Sequence, residues 1–435
     1  MPNTETALTL LESFRNGALT LREALRERIE RIEERNGTLL ALREVDVDDA
    51  LAQAMVLDNR RDEAGSLPLF GVPIVIKDNV AQAGKPNRAG RKDAAGEPAA
   101  ADAAIVRRLH EAGAIVLARA NMDELAYGVT GSNPHTGQVR NARNEALHPG
   151  GSSAGSASAV AAGMVPLAIG TDTAGSVRIP ASLCGVVGMR PTYGWVPSQG
   201  IAPLSSSLDT AGPIARTVRD AALLLSVMTD SALLATAPDD RAGEVRGLSI
   251  GVLNGTFAFN VSEGVKVQFE AACDDLKTLV ASMARATIPE LAGGPRASGP
   301  IIGSEASYAW QEELEAHPEW FGEEVAGHLN KGAMLKAVRY LRARDDCATV
   351  VGAIDKAFER FDVLALPTTA TVATPVSDPG AQLQFLALTV PFSLGGYPAI
   401  TVPMGNVDGA PTGLQLVGKR GEDAMLLALA AAFEG

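Results

Sequence analysis

The sequence predicts a single large α/β domain, and three observations favour this fold class. Short apolar runs typical of buried strands occur at 72–76 and 165–169. Segments with helical composition, at 105–110 and 157–163, alternate with these runs. The 435 residues are 46% apolar and only 20% charged, so the chain can bury a large core. Strands and helices that alternate in this way are typical of a sheet covered by helices.

The first 60 residues are predicted to be helical. Thr20 and Glu23 have the spacing of a capping box, in which each residue satisfies a backbone N–H group of the other at a helix start. Four apolar residues then follow on one helical face: Leu21, Leu25, Ile29 and Ile32. We expect Gly37 to end this helix, because glycine commonly follows the last helical turn.

From residue 67 onward the pattern becomes mixed. Strands are predicted at 72–76, 114–118, 165–169, 248–253 and 363–366. Helices are predicted at 105–110 and 157–163 and through most of 261–361. The stretch 288–300 is rich in glycine and proline, so we expect it to be a surface loop.

Composition argues against several classes of protein. A formal net charge of −13 disfavours nucleic-acid and anionic-membrane binding. No uninterrupted apolar run reaches the roughly 20 residues of a membrane span, and residues 1–14 lack the pattern of a secretory signal. Cys184, Cys273 and Cys347 are too few for a disulfide framework or a zinc site. We therefore expect a cytoplasmic protein with reduced cysteines.

Three short stretches carry the candidate chemistry. They are GVPIVIKDN at 71–79, GGSSAGS at 150–156 and GTDTAGSVRIP at 170–180. Lys77 follows an apolar strand-like run, whereas Ser152 and Ser176 lie in turns of small residues. Ser152 and Ser176 are 24 positions apart, and Lys77 lies 75 positions before Ser152.

A serine hydroxyl becomes a strong nucleophile only when a neighbouring base takes its proton. None of the five histidines lies in these turns: His110, His135, His148, His317 and His328. The sequence contains neither an HExxH metal motif nor a GxSxG nucleophile elbow. Lys77 is the better base, because burial lowers a lysine's pKa and favours the neutral amine. The residues alone leave a second interpretation open, in which Lys77 reaches solvent from the end of a strand.

In this order and spacing, the three stretches resemble the amidase signature family of serine hydrolases. The resemblance covers nearly the whole chain and is strongest at 69–214 and 389–418. It implies that Lys77 is the base, that Ser152 follows a cis peptide bond and relays the proton, and that Ser176 is the nucleophile. It also implies one domain, 1–435, with a twisted mixed sheet between helical layers, a helical segment at 1–60 and a catalytic core at 67–220.

The resemblance assigns further roles around these serines. It implies that an oxyanion hole is formed by the backbone N–H groups of Thr173, Ala174, Gly175 and Ser176. Residues that support the turns are implied to be Ser153, Thr171, Asp172 and Arg178, the last two being alternatively substrate contacts. Tyr127 is implied to line the acyl pocket, although it is equally compatible with a core position. Ala154 stands where the family usually has glycine or serine, and Ala174 where it usually has glycine. Both alanines are small, and we expect both turns to survive unless φ must be positive there.

We therefore expect a cofactor-free, metal-free amidase that hydrolyses a small carboxylic amide to an acid and ammonia or an amine. Two alternatives stay open. One is the glutaminase subunit of an aminoacyl-tRNA amidotransferase, a member of the same family that passes ammonia to a partner. The other is a non-catalytic binding protein on this fold. The sequence does not define the acyl group, the amine or the oligomeric state, for which a homodimer is one option.

Overall fold

A mixed sheet of eleven strands forms the centre of the molecule. The computed structural model describes residues 5–253, 260–378 and 380–435. The prediction that residues 1–14 are not a secretory signal therefore lies partly outside the described residues. Its strands are β1 (Leu42–Val45), β2 (Pro73–Lys77), β3 (Ile115–Ala120), β4 (Ser132–Asn133), β5 (Gly137–Gln138), β6 (Leu167–Asp172), β7 (Val187–Arg190), β8 (Thr210–Ala215), β9 (Ser249–Leu253), β10 (Ser282–Ala286), β11 (Val363–Pro367), β12 (Ala399–Val407) and β13 (Ala410–Gly418). The large sheet has the order β1-β3-β2-β6-β8-β7-β12-β13-β11-β9-β10, and β4 with β5 forms a separate hairpin.

The strand directions place two of the predicted functional stretches side by side. β2 lies between β3 and β6 and runs parallel to both, with Ile74 opposite Leu167 and Ile76 opposite Ile169. β6 is antiparallel to its other neighbour, β8. Because β2 and β6 run in the same direction, their carboxyl ends meet at one edge of the sheet. That edge carries Lys77 and the start of the second serine turn.

Helices cover the sheet and complete two hydrophobic clusters. The helices of the described residues are α1 (Ala7–Arg15), α2 (Leu21–Leu39), α3 (Val47–Asp58), α4 (Ala104–Glu111), α5 (Ala154–Ala161), α6 (Arg178–Cys184), α7 (Val218–Thr229), α8 (Ala232–Asp240), α9 (Ala242–Val245), α10 (Glu263–Leu279), α11 (Gly294–Ala316), α12 (Glu323–Ala333), α13 (Ala337–Phe358), α14 (Ala381–Leu386), α15 (Val390–Leu394) and α16 (Asp423–Glu434). The larger cluster joins the sheet to α1, α2, α4, α5, α7 and α16. The second cluster lies under α11, α12, α13 and α15. The predicted α/β class and the single large mixed sheet are confirmed.

The N-terminal prediction is correct at the start of α2 and wrong at its end. Thr20 Oγ1 accepts the N–H of Glu23 at 3.2 Å, and Glu23 Oε2 accepts the N–H of Thr20 at 2.9 Å, so the capping box is present. The helix continues through Gly37 and ends at Leu39, which is fully buried. Burial of this leucine outweighs the cost of about 1 kcal/mol that glycine imposes in a helix. The 1–60 segment also contains a strand that was not predicted, β1.

The predicted loop at 288–300 is helical. A 3-10 helix occupies Pro289–Gly293, and α11 begins at Gly294. Pro295 lies in the first helical turn, where its missing N–H costs nothing. Pro300 lies inside the helix and removes one of its backbone hydrogen bonds, next to the fully buried Ile301. Packing has therefore overridden the local turn signal.

The three cysteines are buried and free. None of the helices in the described ranges is long and apolar enough to cross a membrane. Across the same residues, no three His, Cys, Asp or Glu side chains are grouped so that they could hold a metal ion.

Candidate active site

Lys77 lies in the interior with its amine between two hydroxyl groups. It is the last residue of β2 and is fully buried. Its Nζ donates to Ser152 Oγ at 2.6 Å and to Thr171 Oγ1 at 2.9 Å. Asn79 Nδ2 also donates to Thr171 Oγ1, at 3.2 Å. The parallel pairing of β2 with β6 thus places the predicted base in direct contact with the predicted relay serine.

The GGSS turn is held against β6 and against the second serine turn. The peptide bond between Gly151 and Ser152 is cis, as the resemblance implies. The Ser153 N–H donates to the carbonyl oxygen of Ser176 at 3.2 Å, so the two serine turns are adjacent. Ser153 Oγ donates to the carbonyl of Thr171 and accepts its N–H, both at 3.2 Å. Ser153 and Thr171 therefore make the supporting contacts expected of them.

A buried carboxylate organises the second turn. Asp172 Oδ1 accepts the N–H of Gly175 at 2.9 Å, and Oδ2 accepts that of Val177 at 3.3 Å. Arg178 binds both carboxylate oxygens, at 2.9 and 3.0 Å, and Arg190 adds a contact at 3.1 Å. Burial alone would raise the pKa of Asp172, but the two guanidinium groups hold that pKa well below its usual range. Asp172 and Arg178 are fully buried and occupied, which favours support over substrate contact.

The main chain around Ser176 offers three free donors. Within the described residues, the N–H groups of Thr173, Ala174 and Ser176 have no acceptor. The prediction that Gly175 is the fourth donor is wrong. Its N–H donates to the carboxylate of Asp172, which is ionised and therefore a strong acceptor. We therefore remove Gly175 from the predicted set of oxyanion donors.

Gly175 is nevertheless required for the shape of this turn. Its φ is +127°, in the region that favours glycine. An added Cβ would overlap Thr389 Oγ1, which donates to the carbonyl of Ala174 at 2.6 Å. Neither Ala154 nor Ala174 has a positive φ, so the expectation that these two alanines leave the turns intact is confirmed.

Comparison with known proteins defines the family. The family model "Amidase" matches residues 23–427. The chain belongs to the amidase signature family. It is therefore a hydrolase of C–N amide bonds, in a family characterised by a Ser-Ser-Lys triad.

Individual relatives fall into two groups. The A subunit of the glutamyl-tRNA(Gln) amidotransferase of Exiguobacterium sibiricum is 36% identical over 460 aligned positions, covering 97% of this chain and 95% of the relative. Its counterpart of the same name from Roseiflexus castenholzii is also 36% identical, covering 96% and 92%. Among solved structures, a native peptide amidase from Stenotrophomonas maltophilia is 31% identical with a TM-score of 0.87, covering 99% of this chain and 96% of that one.

The Lys77 amine has an environment that suits it to act as a base in this amidase signature protein. Burial lowers its pKa from 10.5 to about 7, although the charges of Asp123, Asp209 and Asp172 oppose this decrease. At neutral pH a large share of the amine is then free to accept a proton. A general base is most effective when its pKa lies near the working pH.

Asp123 is a site residue that sequence reasoning missed. Its buried carboxylate accepts the N–H groups of Thr130, at 3.2 Å, and Gly131, at 3.0 Å. Burial raises the pKa of Asp123 to about 6 against these hydrogen bonds. A Cβ added to Gly151 would overlap Asp123 Oδ2, so the carboxylate packs directly on the GGSS turn. The only available signal was its place immediately after β3, in the segment that also contains Tyr127.

A cleft of about 600 Å³ begins beside Asp123. We call it the Tyr127 cleft, and its wall includes Asp123, Tyr127, Gln138, His148, Glu324 and Asp378. The ring of Tyr127 is half-buried and lies 4.8 Å from the ring of His328 on α12. The structure thus places Tyr127 on the wall of a cavity and not in the fully buried core. Asp123 therefore contacts both the cleft and the GGSS turn that carries Ser152.

A smaller cavity of about 170 Å³ is lined by Thr171, whose hydroxyl accepts a hydrogen bond from the Lys77 amine. Asn79, Thr171 and Thr173 line it, together with the carboxylate of Asp209. Thr173 Oγ1 donates to Asp209 Oδ1 at 2.5 Å. This carboxylate adds negative potential near the amine.

Proposed function

We propose that this protein is an amidase that hydrolyses a small carboxylic amide without a partner subunit. The observation that carries the proposal is the 2.6 Å contact between Lys77 Nζ and Ser152 Oγ, made by an amine whose pKa burial lowers to about 7. A neutral amine at this position can take the Ser152 proton while Ser152 takes the proton of Ser176.

The reaction then proceeds in two stages. Ser176 Oγ attacks the amide carbonyl, and the N–H groups of Thr173, Ala174 and Ser176 stabilise the oxyanion. Donors of this kind contribute about 3–4 kcal/mol each in comparable enzymes. Ser152 returns a proton to the departing nitrogen, which leaves an acyl group on Ser176. Water, deprotonated by the same relay, releases the acid and regenerates Ser176.

A second candidate is the glutaminase subunit of a tRNA amidotransferase. The 36% identity to subunits of such enzymes favours it. Those relatives are named for a tRNA substrate, so they give no support to the prediction that nucleic acid is not a partner. Glutamine, however, carries an α-carboxylate that needs a cationic or multiple N–H partner when it is desolvated. Among the described residues lining the two cavities there is neither a lysine nor an arginine. This charge distribution favours the stand-alone amidase.

The test is ammonia release from aliphatic, aryl and ureido amides and from glutamine, with the purified chain alone. We expect turnover of at least one simple amide and little of glutamine. Activity on glutamine alone that appears only with added partner subunits would support the second candidate. Ser176→Ala should abolish both turnover and fluorophosphonate labelling without a change in the circular dichroism spectrum. A label found on Ser152 by mass spectrometry would reverse the assignment of nucleophile and relay.

A further inference from the structure

The wall of the Tyr127 cleft is strongly acidic. Five carboxylates contribute to it: Asp123, Glu124, Glu323, Glu324 and Asp378. The described residues of this wall include no lysine or arginine. Glu323 and Glu324 are exposed at the start of α12, and Asp378 is half-buried on the same wall. The cleft therefore carries negative charge from its rim to its inner end.

Some of this charge is already compensated within the protein. Glu124 accepts the N–H of Gly322 at 3.0 Å and contacts His135 Nε2 at 3.1 Å. Arg91 also acts on Glu124, but it is itself paired with Glu313 at 2.5 Å. No ion pair within the described residues involves Glu323, Glu324, Asp378 or Asp123, so these four give the cleft its charge.

An independent observation comes from His148. Its ring lines the same cleft and is 97% buried, as 3% of the residue is exposed. Nδ1 lies 3.1 Å from the carbonyl oxygen of Thr130, which can only accept, so Nδ1 carries a proton. In the neutral ring, Nε2 is then an acceptor, and it has no hydrogen-bond partner among the described residues. A buried acceptor without a donor is costly, and a donor supplied by a ligand in the cleft would satisfy it.

We propose that the Tyr127 cleft binds a positively charged amine on the acyl part of the substrate, so that the preferred substrates are ω-amino amides. This inference rests on the proposed amidase function. An ammonium group offers three N–H donors and one positive charge, which match the His148 acceptor and the surrounding carboxylates. A substrate carboxylate would instead meet like charges and no cation.

The test compares three amides of equal length that differ only in the terminal group: 6-aminohexanamide, heptanamide and 6-carboxyhexanamide. Homologues with shorter and longer chains are included so that reach does not limit the result. Ammonia release should give the highest kcat/KM for the cation and the lowest for the anion. The preference should decrease at high ionic strength, because salt screens the exposed carboxylates. A neutral or anionic amide that is hydrolysed as well as its cationic counterpart at every length would overturn the proposal.

Substitutions of Glu323 and Glu324, at the rim of the cleft, separate the recognition of substrate charge from catalysis. Glu323→Gln with Glu324→Gln should lower kcat/KM for the cationic amide about three- to tenfold, the range expected for partly exposed charges. The same variant should leave heptanamide turnover nearly unchanged. The matched control is Glu27→Gln with Glu30→Gln, on the exposed face of α2. It changes the net charge by the same amount at residues that do not line the cleft. An equal loss for cationic and neutral amides would show that the rim does not recognise charge.

Two substitutions, each of which introduces an amide side chain, test the role of His148. His148→Asn keeps a donor near the Nδ1 position but has no atom at the Nε2 position, whereas His148→Gln keeps a polar atom there. We expect the KM for 6-aminohexanamide to increase in the asparagine variant and to be partly restored in the glutamine variant, with kcat changed less. Equal KM values for all three proteins would remove His148 from the binding site.

Calorimetric binding to Ser176→Ala makes the test independent of turnover. If no amide is hydrolysed, the proposed function fails, yet binding still reports on the cleft. A cationic amide that binds this variant no more tightly than heptanamide would overturn the proposed recognition.

Discussion

The titration of Lys77 is the most direct test of the proposed chemistry. The perturbations are pH and two substitutions, Lys77→Arg and Lys77→Met. Arginine keeps a positive charge at all ordinary pH values and cannot act as a base. Methionine has a similar volume and no charge. Both variants should therefore be inactive, for different reasons.

The structure sets the expected magnitude. With a pKa of about 7, Lys77 is about nine-tenths neutral at pH 8. An ordinary lysine, with a pKa near 10.5, would be neutral in only about three molecules per thousand at that pH. The burial of Lys77 thus increases the active fraction by about 300-fold. Below pH 7 the rate should fall about tenfold for each pH unit, because the amine becomes protonated.

The same pKa predicts a change in stability with a defined sign. Between about pH 7 and pH 10.5 the unfolded chain holds a proton on Lys77 that the folded protein lacks. As pH falls through this window, the wild type should lose about 1.4 kcal/mol of unfolding free energy per pH unit relative to Lys77→Met. The difference should reach about 5 kcal/mol and stay constant below pH 7.

The assays are initial rates of ammonia release at constant ionic strength from pH 5 to pH 9, and denaturant unfolding over the wider range. An active Lys77→Arg variant would refute the base assignment. So would a stability difference between wild type and Lys77→Met that does not change with pH, because Lys77 would then keep its ordinary pKa in the folded protein.

Three further predictions concern neighbouring features. Asp123→Asn should move the acid limb of the kcat/KM profile to lower pH, because the carboxylate's charge favours protonated Lys77; an unchanged limb in a pH–rate series would contradict this. Gly175→Ala should lower kcat by at least about 100-fold, because its Cβ overlaps Thr389 Oγ1 at a positive φ and displaces the oxyanion donors; steady-state kinetics with near-normal kcat would rule this out. Dialysis against EDTA should leave ammonia release intact, and activity restored only by a divalent metal would mean that a site had been missed.

The fold class and the candidate residues Lys77, Ser152 and Ser176 could be predicted from sequence because their signals are local. Strand-like runs such as that before Lys77 depend on β-branched composition, and Ser152 and Ser176 lie in turns whose small residues have few alternative structures. The strand pairing was not accessible in the same way. The contact between Lys77 and Ser152 depends on β2 running beside β6, which residues 75 positions apart do not encode locally.

Other features could not be predicted because tertiary contacts decide them. The turn signal at 288–300 gives way to helix once Ala297 and Ile301 are buried. Gly175 lies in a turn of small residues, as an oxyanion donor would. Only the folded chain shows that its N–H is already bound to Asp172. The acidic wall of the Tyr127 cleft combines Asp123, Glu324 and Asp378, which are far apart in sequence.

The candidate catalytic residues and the residues of the cleft wall on α12 lie in separate parts of the chain, which affects how substrate preference can evolve. The reacting groups are carried by β2 and by the turns around β6, whereas Glu323, Glu324 and His328 are carried by a helix well over 100 residues further along. Under the proposed recognition, substitutions in that helix alter which amide binds without disturbing the groups proposed to cleave it. Substitutions on α12 are therefore a route by which evolution or protein engineering can change substrate preference while the candidate catalytic residues stay the same.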